Sequence, residues 1–514
     1  MIVDMDPAHR PRWGLWLPAG VLLAVFLLQT LPAIGLKSPT FDETGDIAAG
    51  LSYLQTGTVW LNLQHPPLLK ELSAVLLWIG GVRLPAEAQQ QGRERDAGSA
   101  LIQANGPDRV MWLARLPLVA VALMLGVVLF MWGRELLGER AALCAVFIYV
   151  LDPNIVAHSY LATTDVGFAA FAMLFLFTLW RYLKQPDLKH IVICGVTLGL
   201  ALASKFSAVF LVPIAAVLVV AGGRKLADAA RDLLSMGLAA LVVVQIFYFS
   251  PAGPFLYKAG MEQVNRDHNP NYNVFMGGEF DHRFTSYFAV TWLLKEPLAA
   301  TLAAAAGLWF VLRGKDVDRR AKLFLLLPPS VLFLAYTIWA DDLGIRYLLP
   351  VLPFAFLLGG AGLARMPHVA AAALAAWMVI AAAGIWPDHL SYFNEAACLL
   401  REPAKVGLDG GSKCGIYWLD DSNIDWGQSY KQLKTWMDQH GAGRTIRLQG
   451  FSSFPARAYG FPMEEVGFGQ VPAKPGPGLW GVSAHTVARA PGTWLQTTPP
   501  VAVVGHAIYI YDIP

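Results

Sequence analysis

Asp42 and Glu43 stand a few residues after the charge-free run Trp13 to Leu36, and Asp46 follows one helical turn later. A carboxylate beside a membrane interface costs free energy unless it is hydrated or paired, which makes acidic groups just past apolar runs functional candidates. His65, Pro66, Pro67, Leu68 and Lys70 come next, the two prolines fixing an extended approach into an apolar helix. Arg115 opens a second long apolar run, Asp165 follows Thr163 and Thr164 at the start of another, and Arg346 opens a further one. Lys205 is the single charge between Ile191 and Gly223. A carboxylate at such a place suits deprotonation of an incoming hydroxyl. Arginines and lysines there suit a phosphate carried by a membrane lipid, through charge-assisted hydrogen bonds. Taken singly, each of these residues reads as an interfacial anchor. Their coincidence at one height points to a site.

The elements that must position them are membrane helices. The chain of 514 residues is 55% hydrophobic and only 15% charged, with a formal net charge of +2. That excludes an ordinary soluble enzyme, and it supplies no basic excess for nucleic acid. Trp13 to Leu36 exceeds the ~20 residues that cross a hydrocarbon core and is too long for a signal-peptide apolar region. His9, Arg10 and Arg12 before it therefore read as flanking an uncleaved anchor. Further runs are Leu116 to Gly133, Ala141 to Leu151, Val166 to Trp180, Leu233 to Ser250, Pro297 to Leu312, Leu323 to Ala340, Tyr347 to Ala364 and Val369 to Trp386. Ile191 to Gly223 is too long for one crossing and reads as two spans meeting near Lys205. The expectation is about 11 transmembrane helices.

Arg134 with Arg140, Arg181 with Lys184 and Lys189, Arg224 with Lys225 and Arg231, Arg313 through Lys322, and Arg365 fall on alternate loops. The positive-inside rule puts these loops and the N-terminus in the cytoplasm. The C-terminus and two long loops, 37–109 and 251–284, are then expected outside, with the chemistry.

From about Pro387 the composition turns to Gly, Pro, Ser, Asp and Lys among aromatics, which divides the chain into a membrane domain, 1–386, and a small outer α/β domain, 387–514. Within the latter, Ile416 to Leu419, Thr445 to Gly450 and Val501 to Asp512 read as strands and Gln428 to His440 as a helix, capped by Asn423 or Asp425. Cys144 and Cys194 fall in spans, whereas Cys398 and Cys414 fall outside, where an oxidising compartment permits a bridge. Asp267, His268, Asp281 and His282 match no standard metal-ligand spacing and read as solvated loop residues.

Phe41-Asp42-Glu43, His65-Pro66-Pro67-Leu68 with Lys70, Arg115-Leu116 and Thr164-Asp165, in that order and spacing, resemble the motif series of membrane glycosyltransferases of the C fold class. The resemblance is to the protein O-mannosyltransferase and aminoarabinose-transferase superfamily. Lys295-Glu296-Pro297, Arg346-Tyr347-Leu348-Leu349-Pro350 and Asp421-Ser422-Asn423-Ile424-Asp425-Trp426-Gly427-Gln428 resemble its bacterial branch. The resemblance implies a multi-pass protein of the bacterial inner membrane, with a C-type fold and a site facing the periplasm. It implies inverting transfer of a hexosyl or pentosyl group from a polyprenyl-phosphate sugar to a hydroxyl of a protein, glycolipid or polysaccharide. Asp42 is then the general base, Glu43 helps to position it, and Asp165 is the second acidic residue. Arg115, Lys205 and Arg346 hold the lipid phosphate, assisted by His65 or Lys70. Relatives differ in metal use, so a divalent metal is left open.

Two other classes compete. A lipid or sugar-lipid transporter or flippase also carries many spans and charges, but it tends to place broken helices at mid-bilayer and to show repeated halves. A reading in which the outer domain alone is active, with Asp421, Asp425 and Gln428 as its site, needs one anchor span rather than many.

Overall fold

The computed structural model describes residues 16–85, 93–267, 269, 271–400 and 406–514. His9, Arg10, Arg12 and His268 lie outside the described residues. Among the described residues, six helices are long and apolar enough to cross a membrane: α1 (Trp16–Leu36), Pro107–Leu137, Asp165–Lys184, Leu226–Phe247, Arg319–Trp339 and His368–Ile385. Two bent pairs pass the same test together, Glu139–Leu151 with Pro153–Ser159 and Tyr287–Lys295 with Leu298–Arg313. Shorter apolar helices cover Leu188–Leu202, Phe206–Ala221 and Leu352–Arg365. The first bend falls where Asp152 caps the second helix, its carboxylate accepting from Ile155 N at 2.8 Å, with Pro153 at the first helical position. The second falls at Glu296-Pro297, where the residue before proline leaves the helical region. Lys205 lies in an extended break between two short helices, as the single charge in that run requires.

The loop after α1 is itself helical. It holds α2 (Glu43–Thr56), α3 (Leu68–Ile79) and α4 (Glu94–Asn105) before the long span α5 (Pro107–Leu137). α2 is buried between its neighbours at two glycines: a Cβ at Gly50 would fall 1.9 Å from Lys70 O, and one at Gly98 would fall 1.8 Å from Thr44 O. Main chain therefore touches main chain on both sides of the segment that carries Asp42, Glu43 and Asp46.

The basic short loops gather at the opposite end of the bundle. Glu135 accepts from Arg181 and Lys184 at 2.6 Å each, and Arg320 donates to Leu183 O and Gly222 O. Asp165 and Lys184 are the two ends of one helix, which separates the two sets of charges by its length.

After the last span comes a five-stranded mixed sheet. Its strands in spatial order are Met463–Glu465, Ile446–Gln449, Gly478–Ser483, Ile508–Ile513 and Ala502–Val504. The first three run parallel and the last two pairings are antiparallel. Helix Tyr430–His440 packs on it through Leu433 and Met437. The segment expected as a strand at Ile416 to Leu419 is instead a 3-10 turn, Ser412–Tyr417. The reason is local: Cys414 is bridged to Cys398, Ser412 Oγ receives Phe393 N at 3.0 Å, and Gly411 N is taken by Phe393 O. The helix starts at Tyr430 rather than Gln428, because the Gln428 side chain turns back to Trp426 N and Ile424 O. Asn423 and Asp425 do not cap it; their bonds go elsewhere.

The sheet is fastened to the membrane helices by a buried charge cluster. Lys37, at the end of α1, donates to Asp388 at 2.5 Å, and His506 lies between Asp388 at 2.9 Å and Asp409 at 3.0 Å. Burial alone would lower the His506 pKa, but hydrogen bonds to the two carboxylates outweigh it and raise the imidazole to about 9. An unfolded imidazole titrates near ~6.5, so this contribution to stability is complete below that pH and is lost as pH rises through the folded value. His506→Asn, whose short side chain tolerates the positive φ of 55° at this position, is accordingly expected to lower the melting temperature most in mildly acidic buffer. The deficit should vanish toward about pH 10. A deficit that does not vary with pH would contradict the cluster's role.

Candidate active site

At the cavity end of the bundle, the chain encloses a space of about 830 Å³ lined by Asp42, Asp46, His65, Asp165, Lys205 and Arg346 among others. Six residues singled out in the sequence, spread over 305 positions, thus reach one chamber. Asp42 sits at the start of α2, and its carboxylate receives Arg346 Nη1 at 2.8 Å. Arg95, on α4, approaches the other oxygen at 3.7 Å and lies over the Phe41 ring. Asp42 is 28% exposed and Arg346 13%, and both line the chamber. Asp165 opens its helix and pairs with Lys205 at 2.6 Å. Lys205 Nζ lies 4.7 Å from the Tyr347 ring centroid, and Arg346 lies over Trp426 at 4.5 Å.

Two polar atoms here are buried without a hydrogen-bond partner among the described residues, Arg346 Nε and His65 Nδ1. Burial is costly for such atoms, and a ligand can remove the cost. Burial, reinforced by Lys205 and Lys70, also holds the His65 pKa well below its ordinary value, so the ring is neutral at pH 7 and cannot act as a fixed cation. Burial raises Asp46 despite Lys70 at 3.9 Å, and the same burial lowers Lys70.

Three expected site residues are placed outside the chamber. Arg115 is completely buried and spends all five N–H donors on the protein: two on Glu43, at 2.8 and 2.6 Å, and the others on Ile34 O, Lys37 O and Ser38 O. No donor is left for a lipid phosphate, which corrects the role expected for Arg115. Glu43 is equally sealed. It accepts from Arg115, Thr40 N, Thr40 Oγ1 and Ala162 N, fixing the turn that presents Asp42 without reaching the chamber itself. Lys70 is 1% exposed and donates to Asn62 O and His65 O, so it braces the loop that carries His65.

Other lining residues were not read as site residues from the sequence. Arg95 lies in a loop read as an irregular connection, and α4 makes it a second cation beside Asp42. Trp426 lies in a quoted motif without an assigned role, and Asp421, in the same motif, counts as a site residue only in the reading that makes the outer domain alone active. Asp421 has a φ of 54°, uncommon for a residue with a side chain, and its carboxylate lies 3.4 Å from Tyr272 Oη. Such strain is concentrated at functional sites. Burial raises Asp421, as it does Asp420, which goes to about 7 beside Arg489. His485 stacks on Phe451 at 4.1 Å, and burial pushes it down to about 3. Among the described residues, no group of three or more His, Cys, Asp and Glu side chains is close enough to hold a metal ion.

This is a polytopic helical membrane protein with a charged chamber at one end of its helix bundle, walled in part by Asp421, Trp426, Phe451, Phe468 and His485 from the segment after the last span. A family model described as dolichyl-phosphate-mannose-protein mannosyltransferase matches residues 106–249. No curated protein matches. Among solved structures, ArnT from Cupriavidus metallidurans bound to undecaprenyl phosphate is 15% identical, covers 98% of this chain and 98% of its own, and superposes with a TM-score of 0.52. Its apo state gives 15%, 97%, 97% and 0.52. The apo oligosaccharyltransferase of Archaeoglobus fulgidus is 12% identical over 88% of this chain and 64% of its own, with a TM-score of 0.46. The fold is that of the C-class membrane glycosyltransferases.

Proposed function

We propose that the protein transfers a sugar from a polyprenyl-phosphate donor to an acceptor hydroxyl, with inversion, at the periplasmic face of a bacterial inner membrane. In this reading the N-terminus is cytoplasmic and residues 387–514 form a periplasmic domain. The observation that carries it is the Asp42–Arg346 pair at the wall of the chamber, with Arg346 Nε still unpartnered and Lys205 beside it. The ArnT structure of the same fold holds undecaprenyl phosphate, which supports a lipid phosphate as the ligand.

The steps follow from the charges. The acceptor hydroxyl gives its proton to the Asp42 carboxylate as its oxygen attacks the anomeric carbon. The bond from that carbon to the phosphate oxygen breaks, and the electron pair leaves on the polyprenyl phosphate. Arg346 and Lys205 stabilise the charge that develops there as cations already held in place at the chamber wall. Asp165 holds Lys205 in place, and neutral His65 offers a hydrogen bond to phosphate or sugar. Arg115, Glu43 and Lys70 hold the backbone that carries these groups. Arg95 is a further cation for Asp42 or the donor.

Binding tests this directly. A charged hydrogen bond contributes about 1.5–3 kcal/mol, so Arg346→Ala and Lys205→Ala are each expected to weaken polyprenyl phosphate binding by roughly ten- to a hundredfold in lipid nanodiscs. Unchanged affinity in both would sink the assignment.

A further inference from the structure

Resting on the reading just proposed, we infer that the segment Asp421 to Gln428 is the frame that sets the distance between the base and the phosphate-binding cation, with Trp426 and Asn423 as its positioning residues. The base and the cation come from distant parts of the chain, and no single helix carries both. Both lean on this one segment. On the base side, Trp426 O accepts from Phe41 N at 2.9 Å, directly before Asp42, and Gln428 O accepts from Ser38 N at 2.9 Å. On the cation side, the same Trp426 presents its ring to the Arg346 guanidinium at 4.5 Å, and Asn423 Oδ1 accepts from Ile345 N at 3.0 Å. One tryptophan therefore touches the two halves of the site through different atoms.

The segment is itself held firmly. Asn423 gives its amide hydrogens to Tyr287 Oη and Asp420 O at 3.0 Å each, so the whole side chain is matched. Its main-chain oxygen accepts from Lys295 Nζ at 2.6 Å, which links the frame to the Lys295-Glu296-Pro297 bend. Ser422 Oγ donates to Leu343 O. The turn at Gly344 fits only because it has no side chain: its φ is 131°, and a Cβ there would fall 2.5 Å from Ser422 Oγ. Asn423 is fully buried and Trp426 is 2% exposed, so neither is placed there to meet solvent. Catalysis by positioned groups is sensitive to such frames, since a misplacement of ~1 Å can cost about a hundredfold in rate.

The experiment compares Trp426→Ala, Trp426→Phe and Asn423→Ala with Leu433→Ala, which removes a buried side chain from the helix on the far sheet. Each is measured for polyprenyl phosphate affinity, for kcat and acceptor KM, and for melting temperature. Trp426→Ala should weaken polyprenyl phosphate binding roughly tenfold through loss of the ring face and lower kcat about a hundredfold. Trp426→Phe keeps a ring and the main-chain oxygen, and should restore affinity to within a few-fold. Asn423→Ala should lower kcat with little change in acceptor KM. Leu433→Ala should melt lower yet keep affinity and kcat below its melting point. The inference is overturned if Trp426→Ala and Asn423→Ala match wild type, or if Leu433→Ala loses affinity and kcat as they do at an equal drop in melting temperature. Should Trp426→Ala fail to fold, Asn423→Ala against Leu433→Ala decides. A wild type that binds no polyprenyl phosphate instead refutes the underlying glycosyltransferase reading, and the frame falls with it.

Discussion

Asp42→Asn is expected to cut sugar transfer by about 10²- to 10⁴-fold, the range that a positioned general base contributes. Asparagine keeps the shape and can still accept one hydrogen bond from Arg346, but it cannot take up the acceptor's proton. The donor is held by Arg346 and Lys205, so its affinity should change by no more than a few-fold. Loss of the carboxylate charge, with the 2.8 Å hydrogen bond still available, leaves Arg346 less neutralised, which favours rather than opposes phosphate binding. Lost transfer with retained donor is the signature of the base. Parallel loss of both would mean that Asp42 serves chiefly to hold Arg346.

Breaking the Arg115–Glu43 knot has the largest expected effect on stability. Both side chains are fully buried, and removing one partner of a buried ion pair typically costs ~3–5 kcal/mol because the other charge is left uncompensated. Glu43→Gln and Arg115→Leu should therefore collapse the folded, monodisperse fraction or lower the melting temperature far more than Asp42→Asn does. The double variant Glu43→Gln with Arg115→Met, which leaves no lone charge, should recover part of the loss. If Arg115→Leu folds normally and loses only donor affinity, Arg115 is a phosphate ligand after all.

Charges at the ends of apolar runs are conspicuous, and this is why Asp42, Asp165, Lys205 and Arg346 could be singled out before any geometry was known. The split of Ile191 to Gly223 at Lys205 followed from the same reasoning, since a long apolar run with one charge can break only there. Height along the bilayer normal is legible in that way; direction around the helix is not. Arg115 and Arg346 share a residue type and a place at the start of an apolar run, yet one points into a closed knot and the other into the chamber. What separates them is contact with Glu43, which depends on the turn of residues 37–43 and on Ala162 in the bend before helix Asp165–Lys184. Lys70 fails as a ligand for a similar reason, because main-chain oxygens of its own loop take its hydrogens. Arg95 was hidden by a different limit: a charged, moderately polar segment gives a weak periodic signal, so α4 was read as loop. In the outer sheet, Thr445 to Gly450 and Val501 to Asp512 alternate clearly, whereas the central strand Gly478–Ser483 is buried along nearly its whole length and shows no alternation. Ile416 to Leu419 had the composition of a strand but no partner edge, and the Cys398–Cys414 bridge holds the chain just before it in a turn.

Mass spectrometry of the lipid retained on the purified protein, wild type beside Asp42→Asn and the double variant Lys205→Ala/Arg346→Ala, is the most direct test of the proposed reaction. The expected result is an intact polyprenyl-phosphate sugar on Asp42→Asn, whose mass identifies the sugar. Wild type should carry spent polyprenyl phosphate once acceptor is supplied, and the double variant should carry neither. Absence of any such lipid from wild type and Asp42→Asn after donor is added, with wild type and both variants folded, would contradict the glycosyltransferase reading and favour a transporter.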